Sequence, residues 1–164
     1  KQEPILAGLD TSKVTDMSKA FEGSVALGRY GLDLSSWDTG NVRDFTEMFR
    51  GTGGSGYYAY LNLSNWDTSS STVMRGMFSY QSIINELDLS SFDTSNVTDM
   101  SEMFRYCSSL KRVTMLGPTN PQADVTDMFF GVETDGVFHY NPAYDYSHII
   151  AQLPPSWTAE AVNS

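Results

Sequence analysis

Three segments of this chain repeat one another almost residue for residue: Leu32-Asp-Leu-Ser-Ser-Trp-Asp-Thr39, Leu61-Asn-Leu-Ser-Asn-Trp-Asp-Thr68 and Leu87-Asp-Leu-Ser-Ser-Phe-Asp-Thr94. Each runs on into a stretch that ends in Met-Phe, at Met48-Phe49, Met77-Phe78 and Met103-Phe104, spaced by 29 and then 26 residues. A period in this range marks stacked supersecondary units, none of which can bury its apolar face alone. Residues that recur in every unit therefore belong to the scaffold. Function is to be sought where the pattern breaks.

The first half of each unit is apolar at positions 1, 4, 6 and 9, as in Ile84, Leu87, Leu89 and Phe92, or Tyr58, Leu61, Leu63 and Trp66. This is leucine-rich-repeat spacing. In a short strand it sends Leu87 and Leu89 inward while Glu86, Asp88 and Ser90 face out. The second half predicts a short helix, because Val97, Met100, Phe104 and Cys107 recur at intervals of 3, 4 and 3. Asn41, Asn96 and Asp124, each with an acidic residue three positions on, are placed as N-caps of such helices. Leu6 and Leu9 stand where Leu34 and Trp37 stand one unit later.

The expected fold is thus an α/β class protein: a short right-handed leucine-rich-repeat solenoid, one small strand and one short helix per repeat. About four and a half units occupy residues 1–128. Beyond Met128 the pattern dissolves, and 129–164 is assigned as a C-terminal capping segment of the same domain, with a strand within 131–140 and with Ile149 and Trp157 as anchors.

The run from Leu87 to Leu110, with Ser-Asn-Val-Thr-Asp-Met-Ser-Glu-Met-Phe at its centre, closely resembles the BspA-type leucine-rich repeats of bacterial surface proteins. The resemblance extends over roughly residues 6 to 130 by the repeat alignment, and several units depart from it. Ser71 and Val73 replace the Val and Asp found at 97 and 99. It implies an exported, cell-surface or lipid-anchored bacterial protein, extracellular or held through an N-terminal segment whose removal the start at Lys1 suggests, with adhesion or host-protein binding as the usual role.

A net charge of −10 argues against nucleic acid and anionic membranes as partners. The sequence has no phosphate loop, no nucleophile elbow and no metal-ligand spacing, so no catalytic residue, cofactor or metal is expected. The Trp37, Trp66, Phe92 column is assigned to a stacked core rather than to a sugar platform. The methionines and Cys107 are assigned to core packing. Asp10, Asp38, Asp67 and Asp93, each followed by Thr, are read as turn-forming Asx residues rather than a calcium ladder.

The pattern-breaking segment Gly51-Thr-Gly-Gly-Ser-Gly-Tyr-Tyr-Ala-Tyr60 directs attention to Tyr57 and Tyr60 as contact residues. With them go the outward strand residues Asp33, Glu86 and Asp88. About five strands expose on the order of 400 Å², half the ~800 Å² per partner of a standard protein interface. The expected function is a non-enzymatic surface module that binds a host or extracellular-matrix protein, with glycan binding and a structural spacer as the alternatives.

Overall fold

In the computed structural model the residues that can be described are 4–24, 31–52 and 60–163. They form a strand-rich β-solenoid of about five turns with almost no helix. In chain order its elements are α1 (Pro4–Ala7), β1 (Leu32–Asp33), β2 (Leu61–Asn62), β3 (Glu86–Asp88), β4 (Arg112–Met115), β5 (Gly136–Tyr140), α2 (Ser147–Ile150) and β6 (Trp157–Ala161). All strand pairing is parallel. β1 pairs with β2, Leu32 opposite Leu61, and β3, β4, β5 and β6 form a four-stranded sheet in that order.

The inward residues of each strand are buried as the alternation requires: Leu87, Leu89, Val113 and Met115 are at most 2% exposed. The ninth-position ring follows them inward. Trp66 and Phe92 stack nearly parallel at 6.2 Å, and the Trp37 and Trp66 indoles donate to the carbonyls of Leu6 and Leu34, both at 2.9 Å. Leu6 packs against the core, but Leu9 is 48% exposed, so it does not extend the tryptophan column as the alignment suggests.

The expected helix is replaced by a ribbon of tight turns. Alternate amides donate not along their own coil but to the next one: Met100 to Asp124, Glu102 to Thr126, Phe104 to Met128 and Tyr106 to Phe130. Isolated parallel bridges join Asp16, Asp44, Val73, Asp99 and Asp124 down the stack. Within this ribbon each coil also has two residues in the left-handed region, Glu102 and Tyr106 in this copy, which no α-helix contains. The physical reason is length. A segment of about eight residues lies below the size at which a helix sustains itself, whereas a neighbouring coil one strand spacing away satisfies its amides directly.

The apolar spacing survives because three-residue turns also bring every third or fourth side chain to one side. Val97, Met100, Phe104 and Cys107 are all fully buried. Phe21, Phe49, Phe78 and Phe104 form a column of near-parallel rings at 5.5, 5.6 and 5.9 Å.

The proposed N-caps are likewise reassigned. The side-chain amides of Asn41 and Asn96 donate to the carbonyls of Ser12 and Ser69 in the preceding coil, and Asp44, Asp99 and Asp124 each accept the amide two residues on. Beyond Met128 the sheet does not stop. β5 and β6 add two further parallel strands, with Trp157 buried as the first residue of β6 and Ile149 buried in α2.

Candidate functional site

Two sides of the solenoid line one hydrophobic core, the sheet and the turn ribbon. On the sheet side, β-strand register aligns the outward residues in rows. Glu86 faces Arg112 with an ion pair of 2.7 Å. Asp88, Thr114, His139 and Glu160 make the next row, and His139 Nε2 lies 3.5 Å from Glu160.

The sequence candidates fall on this side but do not converge. Tyr60 is the most exposed large apolar side chain described, at 63%. Gly31 sits beneath it in a left-handed conformation, where a Cβ would come within 2.8 Å of Tyr60 Cβ. Glu86 is held by Arg112. The Asp33 carboxylate accepts from Ser35 Oγ at 2.6 Å, from the Ser35 amide at 3.0 Å and from Asn62 at 3.0 Å. The Ser35 hydroxyl, then the Ser35 amide, keep its pKa below the ordinary aspartate value. Asp88 accepts the Ser90 amide. Tyr57 lies outside the described residues.

The Asp-Thr column has the turn chemistry expected of it. Asp10, Asp67 and Asp93 accept the hydroxyl and amide of the serine two residues on. The threonines that follow are buried, and Thr11, Thr39 and Thr68 each donate at 2.9 Å to a carbonyl one coil away. Among the described residues no group of three His, Cys, Asp or Glu side chains is disposed to hold a metal ion. Cys107 is sealed in the core, its Sγ donating to the Phe78 carbonyl at 3.0 Å. Burial pushes its thiol up to about 12, far from a nucleophile's range.

The turn ribbon holds what the sequence reading missed. Its first left-handed position carries Lys19, Glu47, Gly76, Glu102 and Asp127 in successive coils. The charged side chains at this position make an ion-pair ladder with the residues nearby: Lys19 to Glu47 at 3.2 Å, Arg50 to Glu47 at 3.5 Å, Arg75 to Glu102 at 2.8 Å and Arg105 to Asp127 at 3.2 Å.

The second left-handed position carries Gly23, Gly51, Tyr80, Tyr106 and Gly131. Glycine is the natural occupant, and a bulky side chain there is a genuine outlier costing about 1–3 kcal/mol. Tyr80 (φ 61°) and Tyr106 (φ 54°) nevertheless take it. Their rings meet at 5.2 Å and continue to Phe130 at 5.5 Å. The guanidinium of Arg50 lies over Tyr80, and that of Arg105 over both Tyr106 and Phe130. Three of the six exposed large apolar side chains among the described residues are in this single row. The signal was present in the repeat alignment, where two tyrosines replace glycine two residues after the Met-Phe step.

At its last coil the row opens into a cavity of about 300 Å³ between the turn ribbon and the segment after α2. Phe129, Phe130, Pro154 and Pro155 supply its apolar walls, with Asp127 and Gln152 as polar groups. No described helix is long and apolar enough to cross a membrane.

No curated protein matches the chain, and no solved structure does. The family described as "Mycoplasma protein of unknown function, DUF285" matches residues 2–55 and 57–137, a stretch that takes in the coils of the turn ribbon and the strands through β4; the chain belongs to that family.

Proposed function

We propose that the chain is a non-enzymatic binding module displayed at a bacterial cell surface, a relative of the BspA-type leucine-rich repeats, and that it engages a host or extracellular-matrix protein through its sheet side. The observation that carries this reading is the continuation of the sheet through β5 and β6, which widens the outward face beyond the repeats themselves. The six strands, two to five residues long, expose on the order of 300 Å². The face mixes the Tyr60 ring with the Glu86–Arg112 ion pair and the His139–Glu160 contact, the blend of aromatic and polar groups that suits a polar protein surface. Its area stays under that of a standard interface, so useful affinity comes from many copies on one surface. No catalytic residue and no cofactor enters this reading.

The test is binding of the purified chain to an array of extracellular-matrix proteins, repeated with Tyr60→Ala and with Glu86→Ala/Asp88→Ala. A matrix-protein signal that falls at least tenfold in these variants supports the reading. A signal that is indifferent to them, or silence across the array with multivalent chain, overturns it and favours the spacer.

A further inference from the structure

We propose that the turn ribbon carries a second site, separate from the sheet side, in which the row Tyr80, Tyr106, Phe130 and the cavity beside it bind a neutral carbohydrate chain.

Scaffold needs do not explain the row. Where the coil needs only the turn, glycine holds the position, as Gly23 and Gly51 do, and a Cβ at Gly51 would meet nothing within 4 Å. At Tyr80 and Tyr106 the left-handed backbone is kept while a phenol is displayed, 43% and 41% exposed. The following coil makes room for this. A Cβ on Gly131 would fall 2.3 Å from the Tyr106 ring, so glycine there is required by the tyrosine as well as by its own φ of 75°. The result is a row running across three successive coils and ending at Phe130, 50% exposed.

The occupant follows from charge, width and lining. The cations over the rings are already neutralised: Arg50 by Glu22 and Glu47, Arg105 by Glu102 and Asp127. An anionic ligand would have to displace these carboxylates, and a cationic one would meet the guanidinium groups. A neutral ligand meets neither obstacle. The row is one ring wide, too narrow for a protein interface, and its centroids are spaced at 5.2 and 5.5 Å, of the order of one sugar unit. The rings are tilted by 36° and 90° to one another and carry the guanidinium groups over them, so the apolar C–H face of a sugar would lie on the ring surface left exposed, with hydroxyls at the rim for the phenols, Asp127 and Gln152. The cavity of about 300 Å³, mainly apolar with a few polar groups, is at the small end of ligand sites and fits a terminal sugar.

The experiment uses an array of neutral oligosaccharides, comprising β-linked glucans, galactans and N-acetylhexosamine oligomers. Heparin and a proline-rich peptide are run beside them, followed by calorimetry on any hit. Tyr80→Gly and Tyr106→Gly are the variants of choice, because glycine already occupies this position in three other coils and keeps the fold. Tyr144→Ala, an exposed tyrosine elsewhere, is the control. The expected result is a neutral oligosaccharide that binds the native chain, loses at least tenfold in affinity with either glycine variant and is untouched by Tyr144→Ala. Failure of every neutral glycan overturns the proposal. So does a glycan signal indifferent to both variants, or binding confined to heparin or the peptide. Tyr60→Ala separates the two sites: it should abolish matrix-protein binding and leave glycan binding intact, and loss of both together overturns the claim of a separate site.

Discussion

The Phe104 ring is fully buried, stacked on Phe78 at 5.9 Å and tilted against Phe129 at 5.1 Å. Its replacement by Ala, like that of Trp66, should cost about 3–5 kcal/mol in a urea titration, since both leave a cavity in a column that cannot collapse. A loss under about 1 kcal/mol would show that the column is not packed as described. Tyr106 behaves in the opposite way. Its backbone lies in the left-handed region, so Tyr106→Gly should be more stable than Tyr106→Ala by about 1 kcal/mol, the reverse of the order found at ordinary positions. At this scale the sequence was legible for rings that recur and poorly legible for rings that do not. A stacked core ring appears in every copy, whereas Tyr80 and Tyr106 appear as departures from a glycine whose role is visible only once its φ is known. The aspartate column was readable because Asp-Thr-Ser contains its own turn chemistry. Adding EDTA or calcium should accordingly leave the melting temperature unchanged, and a shift of several degrees would point to a metal bound along the column.

Each coil is held to the next by backbone bonds on two sides and by the buried threonines at the corner between them. Thr68 both donates to the Asp93 carbonyl and accepts the Asp93 amide, each at 2.9 Å. Thr68→Val keeps the shape and removes both partners, so it should cost about 1–3 kcal/mol for the stranded groups. Ser69→Ala, at the exposed end of the same motif, should stay within about 0.5 kcal/mol. Equal effects in chemical denaturation would mean that the corner is no tighter than the surface. The strand half of the unit was readable from alternation. The turn half was misread as helix because burial at intervals of 3 and 4 is common to both, and the difference lies in where the amides go. Met100, Glu102, Phe104 and Tyr106 all donate to the following coil, a fact that no single unit contains.

Across the whole molecule, acid should act in two stages. His148 has both ring nitrogens sheltered with no hydrogen-bond partner, and burial lowers its pKa from the ordinary 6.5, against a smaller opposing effect of Asp145. As pH falls through 6.5 the unfolded chain takes up this proton before the folded one does. The associated stability is therefore present above 6.5 and declines below it. The turn aspartates Asp10, Asp16, Asp33, Asp67, Asp124 and Asp145 have pKa values lowered from 3.8, chiefly by the hydroxyl two residues on. Their contribution is complete above 3.8 and is lost as pH falls below it. The melting temperature should thus decline first as pH falls below about 6.5, then again below about pH 4. His148→Leu should abolish the first decline and keep the second. An unchanged first stage would assign it to another group.

The sequence by itself determined that the chain is a solenoid, which residues face its core and which motif turns each corner, because burial and turn chemistry are written within a single unit of 26 to 29 residues. Only the tertiary structure decided that the second half of each unit is a turn ribbon, that the sheet continues through the C-terminal segment, and that Tyr80, Tyr106 and Phe130 form one row. The reason is stacking. Hydrogen-bond partners and neighbouring rings lie a full coil apart along the chain, and only the register between coils brings them within a strand spacing of each other.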